Sequence, residues 1–564
     1  MTREERDKRE AEKKARMEEG PDVGEVTLPF SRGALLRTFW AFVAVYPAWI
    51  LWNARADLTF ETVFSGSVLF FASVLPSWFW ATGRVQGLPI YPVFGLSFLP
   101  TYVTPLWQGH SALALYTPNE INTAVWTVAG FLLVGMIFWQ QMGVRVGAVP
   151  EKVLMIDLTR AQKVLMVCLI AEVVFEILIL FFAQLGGGAF AAIRGFAGAA
   201  GRMGIFIFSY QIGQGKLSKP NEILFLALLS IIIVEETASL LLSTVIPTIG
   251  LSLAGFVLGA GRIPWRALIV IFLGLTVLHA GKYDMREAYL SENSTKTRSW
   301  VETPAYFSEW IGYGLSNLGF GEFGKDKKED VSSAKDRASL IQLMIMIQKM
   351  TPDKVPYLEG ETYRFIPESL IPRILNPKKV WAHTGNMIMS LQYGLLDEVA
   401  IWKTSVAFDL IMEAYANYGF LGVLILAVIL GFFLGWVTRL TTHVPMLSFG
   451  FLYGVQVISA CISSFNTAGV YVTTLWQSFL ALAALSVVLM KKQNSAVYSF
   501  YAARLQQKRK ALEKNLSDEP DLLPEGSPTA SQQAVPPDSS CKTNIAAPEK
   551  HERPRRFIYG EKKK

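Results

Sequence analysis

The sequence predicts an all-α polytopic membrane protein with about twelve transmembrane helices and one large loop on the outer side between the late spans. Of its 564 residues, 51% are hydrophobic and 12% aromatic, which is more apolar than a soluble domain usually buries. Several apolar runs approach or reach the roughly 20 residues that cross the hydrocarbon core as a helix, among them 34–52, 161–183 and 419–436. Lys and Arg residues fall in alternate connections between these runs, which is typical of a multi-spanning membrane protein.

Apolar length places the individual spans, and we put their number between about ten and twelve because two of them are irregular. The third span carries four prolines, which remove backbone donors, so we expect it to be kinked or re-entrant. The sixth is rich in Gly and Ala and suits half-insertion. The predicted spans cover residues 34–52, 62–81, 88–108, 121–140, 161–183, 196–212, 221–243, 245–261, 264–280, 417–440, 445–466 and 468–490.

The distribution of Lys and Arg predicts that both termini face the cytoplasm, since short cytoplasmic connections collect these residues. The connections near 109–120, 244–248 and 465–469 contain neither, and we place them outside. The basic residues of the alternate connections are Arg84, Arg145, Lys152, Arg160, Lys216, Lys219, Arg262, Arg266, Arg439, Lys491 and Lys492. This topology puts the long segment between the ninth and tenth spans on the outer side.

Five regions follow from this topology. The N-terminus has no apolar core or cleavage site typical of a signal peptide, so the first span is expected to be retained. Beyond about residue 517 the tail is rich in Pro, Ser and Ala and is expected to be disordered. The regions are a charged cytoplasmic N-terminus (1–33), a bundle of about nine spans (34–280), a large outer loop with amphipathic helices (281–404), the last three spans (405–490) and a basic, partly disordered cytoplasmic tail (491–564).

Charge and cysteine content argue against several classes of function. The net charge is +7, but the basic residues lie in short loops and at the termini, so the sequence does not predict nucleic-acid binding. The three cysteines lack metal-ligand spacing, and the five histidines are scattered. We therefore predict neither a metal site nor a cofactor.

Cations collect on the predicted outer face, where orientation of the protein does not require them. Arg binds phosphate well because its planar fork contacts two oxygens and stays charged in a low dielectric. As a set, these side chains favour a pyrophosphate-binding site, although each one alone is also explained by lipid phosphates or by pairing with nearby carboxylates. The candidates are Arg194, Arg202, Lys282, Arg286, Arg337 and Arg373.

Three side chains near the outer mouth are candidates for acid–base catalysis. They are Glu361 in EGETYR, His383 in WAHTG and Glu413 in IMEAYANYGFLG. Each is able to deprotonate a bound hydroxyl group, and each is equally explained by a structural role. Glu172 and Glu176, which share a helix face in the fifth predicted span, and Glu235 and Glu236 in the seventh instead suit a proton relay in a transporter, because a carboxylate in the membrane faces a polar interior.

Several of these stretches resemble a known family. The resemblance covers roughly residues 60–490 and is densest in GKYDMREAY, DRASLIQLM, YLEGETYRFIPESLIPRILNPKK, HTGNMIMSLQYGLL and TSVAFDLIMEAYANYGFLG. These stretches resemble the multi-spanning polymerases of O-antigen and exopolysaccharide repeat units in bacterial inner membranes. In that comparison, Arg373 and Gly385 correspond to an arginine-to-glycine element of the family.

The resemblance implies a metal-independent membrane glycosyltransferase that works at the periplasmic face. It would transfer a growing glycan from one undecaprenyl diphosphate to the repeat unit carried by another, with the arginines holding the leaving group. The implied partners are undecaprenyl-diphosphate-linked glycan, membrane lipids, and a chain-length regulator and flippase of the same pathway, without nucleic acid. Two alternatives stay open: an O-antigen ligase, which uses the same donor with another acceptor, and a polysaccharide or lipid-linked oligosaccharide transporter, which the intramembrane carboxylates favour.

Overall fold

Helices dominate the structure, a computed structural model, and its described strands form one short two-stranded sheet. Two of the predicted site residues, Arg337 and Arg373, lie outside the described residues, as do the N-terminal residues 1–30 and the tail from 495 onward. The described residues are 31–52, 54, 58–144, 152–181, 188–240, 242–290, 302–320, 339–372, 375–376, 379–402, 405–462 and 466–494.

The helices lie close to the predicted spans. Up to the end of the predicted nine-span bundle they are α1 Arg32–Trp52, α2 Phe60–Ala81, α3 Ile90–Leu96, α4 Thr104–Gln108, α5 Pro118–Val144, α6 Leu158–Phe181, α7 Gly188–Gly213, α8 Lys219–Ala238, α9 Leu242–Ala260 and α10 Trp265–Leu290. The remaining helices are α11 Thr303–Asn317, α12 Leu340–Met350, α13 Ile366–Leu370, α14 Thr384–Gln392, α15 Leu410–Leu440, α16 Phe449–Cys461 and α17 Ala468–Leu489. The strands are β1 Lys152–Ile156 and β2 Met490–Asn494.

Within the described part of the chain, six helices are long and apolar enough to cross a membrane by length and composition: α1, α2, α5, α10, α15 and α17. This establishes a mostly helical, multi-pass membrane protein. The count of about twelve spans stays a prediction. Shorter apolar helices lie at Thr244–Ala260, Leu340–Met350 and Phe449–Cys461.

The third predicted span is interrupted, as its prolines indicate. Helix α3 is followed by a π-helix at Leu99–Val103 and then by α4, with Pro100 and Pro105 near the start of the two later pieces. Proline has no backbone N–H to donate, so the hydrogen bonds of the preceding helix are interrupted and a new helical segment begins near each proline. The π-helix buries Tyr102, which contacts the site described below.

Segments predicted to be cytoplasmic lie together at one end of the helices. Strand β1 pairs antiparallel with β2, and the Leu88 N–H donates to Thr441 Oγ1 at 2.9 Å. At the other end, Lys349 Nζ lies 3.0 Å from Glu120 Oε1, and the Trp476 indole of α17 donates to the Leu370 carbonyl at 3.1 Å. Which end faces the cytoplasm stays a prediction.

Helices α5 and α15 pack closely through glycines, in the manner of helices in membranes. A Cβ at Gly431 would clash with the backbone of Gly135, and one at Gly435 would lie 2.9 Å from the Trp139 carbonyl oxygen. The hydroxyl of Tyr91 also reaches the Leu132 carbonyl of α5, at 2.7 Å. Both glycine contacts advance four residues along each helix, so α5 and α15 run parallel and their N-terminal ends lie side by side.

Helix α10 continues to Leu290, ten residues beyond the predicted end of the ninth span at 280. Lys282 and Arg286 therefore lie on a helix, one turn apart. Helix α11 packs against this extension, and the Trp310 indole donates to the Leu278 carbonyl at 2.7 Å. The boundary predicted at residue 281 thus falls inside a continuous helix.

Candidate functional site

The start of α15 is a short helix set apart from the long membrane-crossing part. Asp409 caps it, since Oδ1 accepts a hydrogen bond from the Met412 N–H at 2.8 Å. The helix is then broken at Tyr418 and Gly419, and Gly419 has φ +61° and ψ −148°, a region open essentially to glycine alone. The break separates Glu413 from the apolar stretch that follows.

Glu413 carries a fully buried carboxylate on this short helix, with no exposed surface. Its Oε2 accepts a hydrogen bond from the Ala468 N–H at 2.5 Å, whereas Oε1 makes no hydrogen bond of ordinary geometry among the described residues, although the Thr362 hydroxyl is close enough to act on this carboxylate. A Cβ placed at Gly385 would lie 3.0 Å from Oε1. Burying a carboxylate oxygen without a donor is costly, so such an atom marks a candidate ligand contact.

Asn417 holds a second segment against this helix. Its Oδ1 accepts from the Gly360 N–H at 2.9 Å, and its Nδ2 donates to Thr362 Oγ1 at 2.8 Å and to the Glu413 carbonyl at 2.7 Å. The Leu358 N–H adds a bond to the Ala416 carbonyl at 3.0 Å. The GETY stretch is therefore fixed across the end of the short helix, with Thr362 turned inward and 2% exposed.

Two further buried polar atoms lie around Gly385. Thr467 Oγ1 lies 3.7 Å from a Cβ built at Gly385, and Asn386 is the next residue in the chain. Neither Thr467 Oγ1 nor Asn386 Oδ1 has a hydrogen-bond partner within the part of the chain that the structure describes. We call the set Thr362, Gly385, Asn386, Glu413, Asn417 and Thr467 the Glu413 cluster. Atoms of Thr362, Glu413 and Thr467 lie within 3.7 Å of a Cβ built at Gly385.

A second buried carboxylate lies one turn before Glu413. Asp409 is 1% exposed, and its Oδ2 accepts a hydrogen bond from the hydroxyl of Tyr102 on the π-helix. Burial raises the pKa of Asp409 to about 6, although hydrogen bonds from the Met412 N–H and from Tyr102 act in the opposite direction. Tyr102 and Asp409 thereby tie the third predicted span to the cap of α15.

The three predicted acid–base residues lie in or next to the segments of this cluster, in different surroundings. Glu361 is exposed and directly precedes Thr362. His383 is exposed at the N-terminal cap of α14, two residues before Gly385. Only Glu413 is buried and aimed into the cluster. Of the three candidates, Glu413 therefore has the surroundings best suited to proton transfer in a water-poor site.

The predicted pyrophosphate-binding cations are distributed over several elements. Arg194 and Arg202 lie on α7, and Lys282 and Arg286 on α10. No hydrogen bond or ion pair between described residues joins Lys282 or Arg286 to the Glu413 cluster. The same described residues also contain no group of three or more His, Cys, Asp or Glu side chains arranged for a metal ion.

Sequence reasoning did not identify Thr362, Asn417, Thr467, Asp409 or Tyr102 as site residues. Part of the signal was present, because GETY and EAYANYG were among the stretches that carried the family resemblance. The contact between Tyr102 and Asp409 joins residues 307 positions apart, and no spacing in the sequence indicates it.

Comparison with known proteins supports the family resemblance. Residues 338–493 match the family model described as O-antigen polysaccharide polymerase Wzy. No curated protein and no solved structure matches the chain. The matched region contains the whole Glu413 cluster, from Thr362 to Thr467. This match over part of the chain supports a Wzy-like family, and the apolar helices point to a multi-pass membrane protein.

Proposed function

We propose that the protein polymerises oligosaccharide repeat units during O-antigen or exopolysaccharide synthesis, using undecaprenyl-diphosphate-linked glycans at the periplasmic face. The observation that carries this proposal is the Wzy family match over the region that surrounds the buried Glu413 carboxylate. One oxygen of this carboxylate is held by the Ala468 N–H, and the other, which makes no hydrogen bond of ordinary geometry among the described residues, lies against Gly385.

In the proposed reaction, a hydroxyl group of the acceptor repeat unit lies against Glu413 Oε1. The carboxylate takes the hydroxyl proton as the oxygen attacks the anomeric carbon of the donor glycan. The new glycosidic bond forms as the bond to the diphosphate breaks, and undecaprenyl diphosphate leaves with the bonding electrons. Glu413 holds the proton afterwards and releases it to solvent or to the leaving phosphate.

The departing diphosphate is negatively charged, and positively charged side chains nearby would stabilise it. We assign this role to the cations predicted on the outer face, with Arg373 first among them because it lies between Pro372 and Asn376, close in sequence to Gly385. Guanidinium groups aimed at a departing diphosphate stabilise the charge that develops in the transition state. The proposal includes activity without a divalent ion.

The proposed setting is the bacterial inner membrane, with both termini cytoplasmic, about twelve spans and the segment 281–404 in the periplasm. Membrane lipids, a chain-length regulator and a flippase of the same pathway are the proposed partners.

The decisive experiment is the glycan profile of a deletion strain. We expect single repeat units on the lipid A core in place of a polymer ladder. A ligase would instead leave long chains that are not attached to core, and a transporter would leave repeat units on the cytoplasmic leaflet. An unchanged ladder in the deletion strain contradicts the proposal.

A further inference from the structure

A groove beside α5 and the break in α15 has the chemistry of a carbohydrate site. It has a volume of about 510 Å³ and lies at the outer end of α5, next to the start of the long part of α15. Its lining residues are Asn119, Asn122, Thr123, Trp126, Thr127 and Phe420. We propose that this groove binds the oligosaccharide part of a lipid-linked glycan, an inference that rests on the proposed function.

The polar groups of the groove are neutral. The Asn122 side-chain oxygen Oδ1 accepts a hydrogen bond from the Ser65 hydroxyl, and the Asn122 Nδ2 group makes no hydrogen bond among the described contacts. The side-chain amide of Asn119 also makes no hydrogen bond among them; the bond from the Thr123 hydroxyl goes to the Asn119 backbone carbonyl. Thr127 Oγ1 accepts from Gln348 Nε2 at 2.8 Å. Amides and hydroxyls both donate and accept, which suits a ligand with many hydroxyl groups. Glu120, next to Asn119 in the chain, pairs with Lys349 at 3.0 Å.

Aromatic rings supply the apolar part of the groove. Trp126 is 57% exposed and Phe420 is 56% exposed. The C–H face of a sugar ring packs on such rings, while the hydroxyl groups at its edge reach amides. Trp126 lies two turns into α5, about 12 Å from the helix start, so the groove runs from the aqueous end of the helix toward the lipid.

The groove adjoins the short helix that begins α15, on the side away from Glu413. The Phe420 ring packs edge-on against Tyr415, with centroids 5.2 Å apart, and Tyr415 lies two residues after Glu413. Gly419 makes the break that turns Phe420 toward α5. A glycan lying in the groove would therefore extend alongside the short helix that carries the carboxylate.

The inference is tested by ligand binding to the full-length protein in nanodiscs, measured by saturation-transfer NMR. One probe is repeat-unit oligosaccharide released from the host polysaccharide by mild acid, and the other is undecaprenyl phosphate. We expect Trp126→Ala to weaken oligosaccharide binding about tenfold and to leave undecaprenyl phosphate binding unchanged. Trp126→Phe, which keeps an aromatic face, should retain most of the binding. Trp40→Ala is the matched control, since Trp40 is also 57% exposed but lies on α1.

Wild-type oligosaccharide affinity in folded Trp126→Ala would overturn the inference. A loss of undecaprenyl phosphate binding alone would also overturn it, by assigning the groove to the lipid chain. Thermal unfolding of each variant shows whether it is folded, and Trp126→Phe keeps the test valid if the alanine variant is not. Either of these binding results would overturn only the role of the groove, provided that the polymer ladder still disappears when the gene is deleted. A ladder that is unaffected by deletion would instead reject the proposed function itself.

Discussion

The Glu413 carboxylate lies directly against the backbone of Gly385, so that a Cβ at this glycine would be 3.0 Å from Oε1. Gly385 begins the buried side of α14, and Glu413 lies on the short helix that precedes the break in α15. The absence of a side chain at residue 385 leaves space beside Oε1, which makes no hydrogen bond of ordinary geometry among the described residues. This space is where we place the acceptor hydroxyl.

Replacing the carboxylate tests its role as a base. Glu413→Gln keeps the shape and a hydrogen-bonding oxygen but removes the proton acceptor, so we expect polymerisation to fall on the order of 10²-fold or more. The measurement is the ladder of a complemented deletion strain, with protein abundance followed by immunoblot. Glu361→Gln is the control, and because Glu361 is exposed its loss should be smaller. Equal losses in both variants would contradict the assignment to Glu413.

Adding one methyl group tests the space beside the carboxylate. Gly385→Ala brings a Cβ within 3.0 Å of Oε1 and should impair polymerisation strongly at normal abundance, because the methyl group occupies the position of the acceptor hydroxyl. Gly130→Ala is the matched control, since nothing lies within 4 Å of a Cβ there. A normal ladder from Gly385→Ala would show that no substrate group needs this space.

Asn417 should matter for stability as well as for activity. Asn417→Ala removes three side-chain hydrogen bonds and leaves buried partners such as Thr362 Oγ1 with one bond fewer, at a cost of about 1–3 kcal/mol for a partner left unsatisfied. We expect a lower unfolding temperature of the purified protein in detergent. Asn317→Ala removes bonds to Ala280 and Asp284 at an exposed position and should change the temperature little. Similar shifts in the two variants would argue against a clamp at Asn417.

The proposed chemistry also predicts resistance to chelation. Turnover of a lipid-diphosphate-linked repeat unit by the purified protein should persist in EDTA, because arginines carry the positive charge. Arg373→Lys keeps the charge and loses the fork, so it should be clearly impaired, and Arg373→Ala should be nearly inactive. Activity lost in EDTA and restored by magnesium would reject the metal-independent mechanism.

The helices were largely predictable from the sequence because apolar length alone determines where a span can form. The positions of the helix ends were less predictable. Helix α15 begins at Leu410, seven residues before the predicted span at 417, because the Asp409 cap starts a short helix that the break at Gly419 separates from the long one. Likewise, α10 continues past residue 280 because α11 packs against the polar extension.

The candidate site was predictable only in part. Glu413, His383 and Glu361 were selected by residue type and by position near the outer mouth, and the structure distinguishes them by burial. The partners of Glu413 come from three separate segments, at Thr362, Gly385 and Thr467. Contacts between such distant segments depend on tertiary packing, for which a single sequence carries no periodic signal.

The buried Asp409 predicts a specific dependence of stability on pH. Burial raises the pKa of its carboxyl to about 6 in the folded protein, against about 3.9 in the unfolded chain. Between these values the folded state binds more protons than the unfolded state, so the free energy of unfolding falls as pH rises from about 4 to about 6 and then levels off. The contribution of this one group is about 3 kcal/mol, fully present below pH 4.

Asp409→Asn should remove this component, because an amide does not ionise and still caps α15 through its oxygen. The measurement is thermal unfolding of both purified proteins from pH 4 to pH 7, with the difference between them as the readout, since other groups titrate in both. We expect the variant to gain stability relative to the wild type as pH rises to about 6, with no further change above that value. A difference that is constant across this pH range would show that Asp409 ionises normally, and that the hydroxyl of Tyr102 and the Met412 N–H compensate fully for its burial.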